Sequence, residues 1–313
     1  MSLGTVRRKV RIKLNTSIHV WGGLGSQLNA LILLNRLKLH NSNRDFSLIV
    51  HDDPTYPFAF KSQFGIDICE LNLDLPVRLK NDFQVRLTQD PNSFTRRFSN
   101  LNTKLSARSA LNFLQNTIKY RAEFNERSSF RLNPLTRHLV GHYSFIKYSR
   151  EDFVLLIDQI FEHSDPSSFE FDTVIHLRLG DLLTLKKGSS AIETAHQISR
   201  MIDEENLLGL NTAVFSETSD VARTYLPIRT NLNVTFYDTA TTSAVSLLRH
   251  GIMSQTFVGS RSKISFWVSA LRILKNKHQA TFVLEEHRPA LDRFIGHLTP
   301  NTPQYYANNQ RLV

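Results

Sequence analysis

His176, Arg178, Gly180 and Asp181 punctuate the end of the apolar run Val174-Ile175-His176-Leu177-Arg178-Leu179. Side chains alternate along a strand. Ile175, Leu177 and Leu179 therefore share one face, and His176 and Arg178 project together from the other. In an interior parallel strand, the carboxyl end is where an open α/β sheet takes its ligands. An arginine there suits phosphate, because guanidinium stays charged and offers a fork of donors. Gly180 lets the chain turn, and Asp181 could accept backbone N–H bonds and pin the loop. A surface arginine beside an ordinary turn explains an isolated Arg equally well. All four types at fixed spacing arise by chance on the order of 10⁻³ per chain.

Three further places carry chemistry. Val258-Gly259-Ser260-Arg261-Ser262-Lys263-Ile264 joins a strand to an amphipathic helix with Ile264, Trp267, Val268, Leu271 and Leu274 on one stripe. Ser260 or Ser262 is a natural N-cap. A helix N-terminus with Arg261 and Lys263 beside it suits a phosphate; a capped helix with two solvated cations is the plainer reading, and Trp267 reads as core. Gly22-Gly23-Leu24-Gly25-Ser26-Gln27 follows a strand and precedes a helix. Its third fingerprint position is Leu28, so dinucleotide binding is weakly signalled. The loop is either a close strand-to-helix turn or a place where a sugar can approach the backbone. Glu217 and Asp238 end two other strands, where each would read a base or ribose or cap a helix.

The elements that must position these residues alternate. Residues 10–21 read as strand, the stripe Leu28, Leu31, Ile32, Leu34 and Leu37 as helix, and 46–50 as strand. Residues 54–100 are mixed, 104–127 look helical, and Asn133-Pro134 punctuates that region. Then come a helix through Phe153–Phe161, strand 173–178, helix 191–207, strand 212–216, helix 219–226, strand 233–237, helix 241–253, strand 256–259, helix 262–275 and a last strand, Thr281–Leu284. Such alternation implies parallel sheet with helices on its faces. A boundary near residue 150 gives two α/β domains, 1–150 and 151–313.

The chain has 313 residues, 41% hydrophobic and 21% charged, enough for two cored domains. A net charge of +10 favours anionic partners. Arg7, Arg8, Lys9, Arg11 and Lys13 crowd the start, and between Arg96 and Arg150 the acids are only Glu123 and Glu126. That excess is a solvated helical face, or it draws an anionic acceptor or a membrane surface into peripheral contact. The single cysteine, Cys69, rules out an internal disulfide. No apolar run is long enough to span a bilayer and no signal-peptide pattern is present. Cytoplasmic placement is the expectation, and the opening Met1-Ser2-Leu3 is also compatible with a Golgi-type anchor removed upstream. Asn15-Thr16-Ser17 and Asn233-Val234-Thr235 match the glycosylation sequon as accidents of sequence.

Several chemistries are disfavoured. There is no zinc-spaced Cys/His cluster, no Gly-x-Ser-x-Gly elbow and no Walker sequence. Asp52-Asp53 is a carboxylate pair without a visible third ligand, so no metal is expected. Specific nucleic-acid binding would rest on net charge alone and lacks a module.

Four segments together resemble glycosyltransferase family 11, the α-1,2-fucosyltransferases, within the wider fucosyltransferase superfamily. His176, Arg178, Gly180 and Asp181 match its His-x-Arg-x-Gly-Asp motif. Gly22, Gly23, Leu24, Gly25 and Gln27 match its Gly-Gly-Leu-Gly-Asn-Gln loop, with Ser26 for Asn. Gly141-His142-Tyr143 through Lys147-Tyr148 look like its Gly-Tyr-x-x-x-x-Lys-Tyr segment. Ser262, Ser265 and Trp267 match its Asn-Ser-Ser-Phe-Ser-Trp-Trp segment, where Arg261, Lys263, Ile264 and Phe266 depart.

The resemblance implies two Rossmann-like domains facing across a cleft, the GT-B arrangement. It implies transfer of L-fucose from GDP-fucose to a glycan acceptor, with inversion in one displacement and no metal or other cofactor. Arg178 would stabilise the departing diphosphate. His176, Asp181, Glu217, Asp238, Ser262, Lys263 and Ile264 would line the donor side, and Gly23, Gly25, Ser26 and Gln27 the acceptor side. Lys263, where the family has a small hydroxyl residue, either adds charge at the phosphates or fits a different donor. A transferase for another nucleotide sugar and a non-catalytic sugar-nucleotide-binding protein are the rival readings.

Overall fold

The computed structural model describes residues 14–21, 23–51, 67–71, 77–80, 130–132, 138–140, 148–162, 164–169, 171–179, 188–226, 231–238, 241–296 and 298–307. The expected helix at 104–127, the Asp52-Asp53 pair, Asn133-Pro134, Gly22, Gly141–Lys147, Gly180 and Asp181 lie outside the described residues, as do nearly all of the basic stretches.

Two all-parallel sheets are present. The first has the order β3-β2-β1-β4, built from β1 (Leu14–Trp21), β2 (Arg44–His51), β3 (Val77–Lys80) and β4 (His138–Val140). The second has the order β10-β9-β8-β5-β6-β7. Its strands are β5 (Thr173–Leu177), β6 (Asn211–Ser216), β7 (Asn233–Tyr237), β8 (Thr256–Gly259), β9 (Thr281–Leu284) and β10 (Gln304–Tyr306). Counted from β5, that is the doubly wound order 3-2-1-4-5-6, whose strand order reverses between β5 and β8. His176 pairs with Gly259 across this reversal. The α/β class with parallel sheet is therefore as expected.

Helices are α1 (Leu24–His40), α2 (Arg150–Phe161), α3 (Gly188–Glu204), α4 (Ser219–Tyr225), α5 (Ala244–Met253), α6 (Lys263–Leu274) and α7 (Arg288–Ile295). On one face of the second sheet, Ile175, Leu177, Leu179, Val214 and Val258 pack with Ala195, Ile198 and Met201 of α3 and Ala222 of α4. On the other face, Val174, Ala213 and Phe257 join α5 and α6 in a cluster that runs on into Ile18, Leu48 and Val50 of the first sheet. The bridge is α1, buried at every residue from Leu24 to Asn35. It packs on β1 and β2 and also touches α2 and α6, which explains a sequence apolar nearly all round. Helix α2 packs on α1 and α6 alike. Arg36 of α1 grips Asp152 of α2 at 2.7 Å, and Tyr148 donates to the Asn29 carbonyl at 2.9 Å.

Three features depart from the sequence reading. Helix α1 begins at Leu24, so Gly25, Ser26 and Gln27 occupy its first turn rather than a loop. Thr281–Leu284 is not the last strand, because β10 adds a sixth through Tyr305 and its neighbours. Three residues are too few for a period to declare itself, and Tyr305 is anchored by donating to Asp292 at 2.9 Å. Helix α7 buries only Leu291 and Ile295, a short stripe that follows a Pro at its start. No helix among the described residues is long and apolar enough to cross a membrane.

Arg272 of α6 is wholly buried. Its guanidinium donates to the carbonyls of Gly251, Ser254, Gln255 and Ala280 at 2.7–2.9 Å and to the Thr281 hydroxyl at 2.8 Å. Burial lowers its pKa to about 9. These bonds tie α5, β8 and β9 to α6. Arg272→Leu should cost about 2–4 kcal/mol by stranding those carbonyls, read as a shifted urea midpoint; a loss below about 1 kcal/mol would mean that water replaces the guanidinium.

Candidate functional site

The carboxyl ends of β5 and β8 lie side by side at the strand-order reversal, the place where doubly wound sheets bind ligands. Arg178 follows β5 directly. Its backbone N–H donates to the Ser260 hydroxyl at 3.1 Å, and the next N–H, of Leu179, donates to the Glu217 carboxylate at 2.8 Å. The chain leaving β5 is thus strapped to the ends of β8 and β6. Strand alternation holds as expected, with Ile175, Leu177 and Leu179 in one core cluster.

His176 faces the α6 side. It is 1% exposed, and its Nδ1 lies 2.6 Å from the Ser265 hydroxyl and 3.4 Å from that of Ser262. Its Nε2 is buried without a hydrogen-bond partner. Burial, with the Arg178 charge beside it, lowers its pKa to about 3, so the ring is neutral near pH 7. His176 therefore buttresses the first turn of α6 from beneath. Ser262 is the N-cap, accepting the Ser265 N–H at 3.1 Å, and Trp267 is core at 1% exposure.

Lys263, the first residue of α6, reaches across to the first half. Its Nζ donates to the Ser26 hydroxyl at 3.0 Å. Lys263 keeps solvent access, yet desolvation of its ammonium, followed by the Arg178 charge, lowers its pKa. Arg261 lies on the other side, toward the end of β9. There His287, paired with Glu286 at 3.1 Å, has its pKa lowered chiefly by burial and also by Arg261, against the pull of Glu286. Cations from the ends of β5 and β8 are thus spread along one sheet edge, and two of them repel each other.

The glycine segment meets this edge directly. A Cβ on Gly25 would stand 2.6 Å from Cβ and 2.9 Å from the carbonyl carbon of Lys263, and 3.0 Å from the Ile264 nitrogen. Trp267 fixes the approach by donating its indole N–H to the Gly25 carbonyl at 2.8 Å. Gly23 is different, since a Cβ there would meet nothing within 4 Å. Gln27 is turned inward and accepts the Ile68 N–H at 3.1 Å. Asp238 closes its own turn, accepting from Ser219 at 2.9 Å and from the Thr241 N–H at 3.2 Å. Among the described expected residues, the structure brings Arg178, His176, Ser262, Lys263, Ile264, Gly25 and Ser26 together, with Glu217 behind them. Asp238 and the Gln27 side chain make their contacts elsewhere, and the Gly23 carbonyl accepts the Ser26 N–H at 2.9 Å at the start of α1. Sequence reasoning missed Ser260 as a strap and Ser265 as the histidine's partner; Ser265, three residues after the cap, was the available signal.

Comparison by sequence finds no matching family model and no matching curated protein. Among solved structures, the chain is similar to the α-1,6-fucosyltransferase NodZ soaked with GDP-fucose. The TM-score is 0.38 at 13% identity, covering 82% of this chain and 92% of that one. It is also similar to a sialyltransferase from Photobacterium damsela, with a TM-score of 0.33 at 10% identity, covering 94% and 82%.

Two outcomes test this geometry. Gly25→Ala should destabilise by about 1–3 kcal/mol through overpacking, despite the better helix propensity of Ala, whereas Gly23→Ser should stay within about 0.5 kcal/mol. Equal effects in urea unfolding would contradict the close approach. The second concerns His176, whose folded pKa of about 3 lies below the unfolded value of about 6.5. Its neutral form stabilises the fold fully above pH ~6.5, and that stability drains away as pH falls toward 3, at up to about 1.4 kcal/mol per pH unit for one proton. His176→Gln should flatten the fall between pH 7 and pH 5; an unchanged slope would contradict the burial.

Proposed function

We propose that the chain is a nucleotide-sugar glycosyltransferase. Its donor is GDP-fucose, and L-fucose passes to a glycan hydroxyl, α-1,2 to galactose, with inversion in one displacement and without a metal. The observation that carries this reading is the pair of cations, Arg178 and Lys263, at the ends of the strands that flank the reversal. Two cations beside the amino end of α6, at the carboxyl ends of parallel strands, suit a nucleoside diphosphate.

In this reading the two sheets are the cores of two Rossmann-like domains in a GT-B arrangement. Residues 1–150 form the acceptor side and 151–313 the donor side. Charge builds on the diphosphate as the sugar–oxygen bond breaks, and preorganised cations stabilise it most at that moment. Arg178 supplies a fork of donors, Lys263 a point charge, and the first turn of α6 its free N–H groups. His176, Ser260 and Glu217 act one step back, holding α6 and the β5 exit loop in place. In a loose displacement, alignment of the acceptor hydroxyl contributes much of the acceleration. The excess of Lys and Arg in the sequence would draw the enzyme into peripheral contact with a membrane that carries its glycan acceptor.

A second reading keeps the fold and reaction class but takes another nucleotide sugar. It is favoured by the contact between Ser26 and Lys263, which are two of the departures from the fucosyltransferase pattern. Replacing both ends of one contact would reshape the donor pocket.

Purified protein should release GDP from GDP-fucose when a galactoside-ended acceptor is present, with EDTA changing little. Arg178→Ala should lower kcat about 100-fold or more with the thermal midpoint held. Full activity in that variant would reject the role of Arg178. Thermal stabilisation by a different nucleotide sugar, and none by GDP-fucose, would select the second reading.

A further inference from the structure

Ser26 is expected from sequence on the acceptor side, but its hydroxyl is the partner of the Lys263 ammonium at 3.0 Å. Its place is fixed by contacts that leave little freedom. The residue is 7% exposed, it stands in the first turn of α1, and the preceding Gly25 carbonyl is held by the Trp267 indole. The Lys263 ammonium therefore rests against the opposite half of the molecule, with a neutral hydroxyl as its partner.

We infer that Ser26 is a positioning residue of the anion site, parking Lys263 where it selects a diphosphate over a single phosphate. This rests on the anion-binding reading given above. Arg178 leaves β5 and Lys263 follows β8, and adjacent strands run about 4.8 Å apart. Two cations on neighbouring strands serve two linked phosphates, whereas a single phosphate needs only one of them. An ammonium–hydroxyl bond is also weaker than an ammonium–phosphate bond, which is assisted by charge on both sides. A second phosphate thus draws Lys263 from Ser26 at small cost. Without the hydroxyl, the ammonium, repelled by Arg178, swings outward on a flexible stem and must be reordered on binding. His176 beneath, bonded through Nδ1 to the Ser265 hydroxyl at 2.6 Å, holds the α6 turn against β5.

Titration calorimetry of the full chain with inorganic pyrophosphate and with orthophosphate, at matched ionic strength, tests this. Lys263→Met should weaken pyrophosphate about tenfold or more and orthophosphate less than about threefold. Lys263→Arg, which keeps the charge, should keep the preference, and equal thermal midpoints establish that each variant is folded. Ser26→Ala should weaken pyrophosphate about threefold, Ser26→Thr should restore it, and Ser26→Ala should add nothing in the Lys263→Met background. Equal loss of both anions in Lys263→Met, no loss of either, or additive effects of the two substitutions would overturn the inference while leaving the anion site standing. Absence of binding by either anion to the unaltered chain would overturn the anion site itself, and this inference with it.

Discussion

The approach of the α1 amino end to that of α6 is the constraint on which the rest of the molecule depends. It exists because Gly25 has no side chain, since a Cβ would stand 2.6 Å from that of Lys263. The Trp267 indole then closes the gap with a hydrogen bond to the Gly25 carbonyl, and its ring packs against Phe153 and Phe294. A buried indole whose N–H is satisfied contributes a large apolar surface without a desolvation penalty. With the Arg36–Asp152 and Tyr148–Asn29 bonds, this contact joins the two sheets through a shared core and sets the first turn of α6 against that of α1.

Electrostatics at that edge follow from the same packing. The α6 turn is held up by His176, a ring too buried to carry charge near neutrality. Its neutrality matters, because an imidazolium there would add a third positive charge beneath Arg178 and Lys263. The edge is left with Arg178 and Lys263 above a neutral imidazole, and with the Glu217 carboxylate holding the β5 exit. The Arg178 charge, after desolvation, lowers the Lys263 pKa, so the two cations oppose each other across that edge.

Much of this was legible in the sequence, for reasons that differ by element. The strands of the second sheet are short, apolar and bounded by turn residues, and β7, β8 and β9 fall at the expected positions. Trp267 as core and a cap at Ser260 or Ser262 followed from a 3.6-residue stripe and cap chemistry, and the fold selects Ser262. The start of α1 did not, because Gly-Gly-Leu-Gly reads as loop by propensity, while tertiary packing against α6 makes it helix. The contact of Ser26 with Lys263 spans 237 positions, and no local pattern reports a pairing at that distance. Likewise, the strand assignment put His176 beside Arg178, but only the packed α6 turn shows that it is support and not surface. Asp181 and Gly180 lie outside the described residues.

A crystal structure with GDP bound is the most direct measurement of the central claim. The two phosphates should lie over the α6 amino terminus, one against the Arg178 guanidinium and the other against the Lys263 ammonium, with Lys263 drawn away from Ser26. Nucleotide density at another place on the molecule, or an Arg178 side chain turned to bulk solvent with GDP bound, would contradict it.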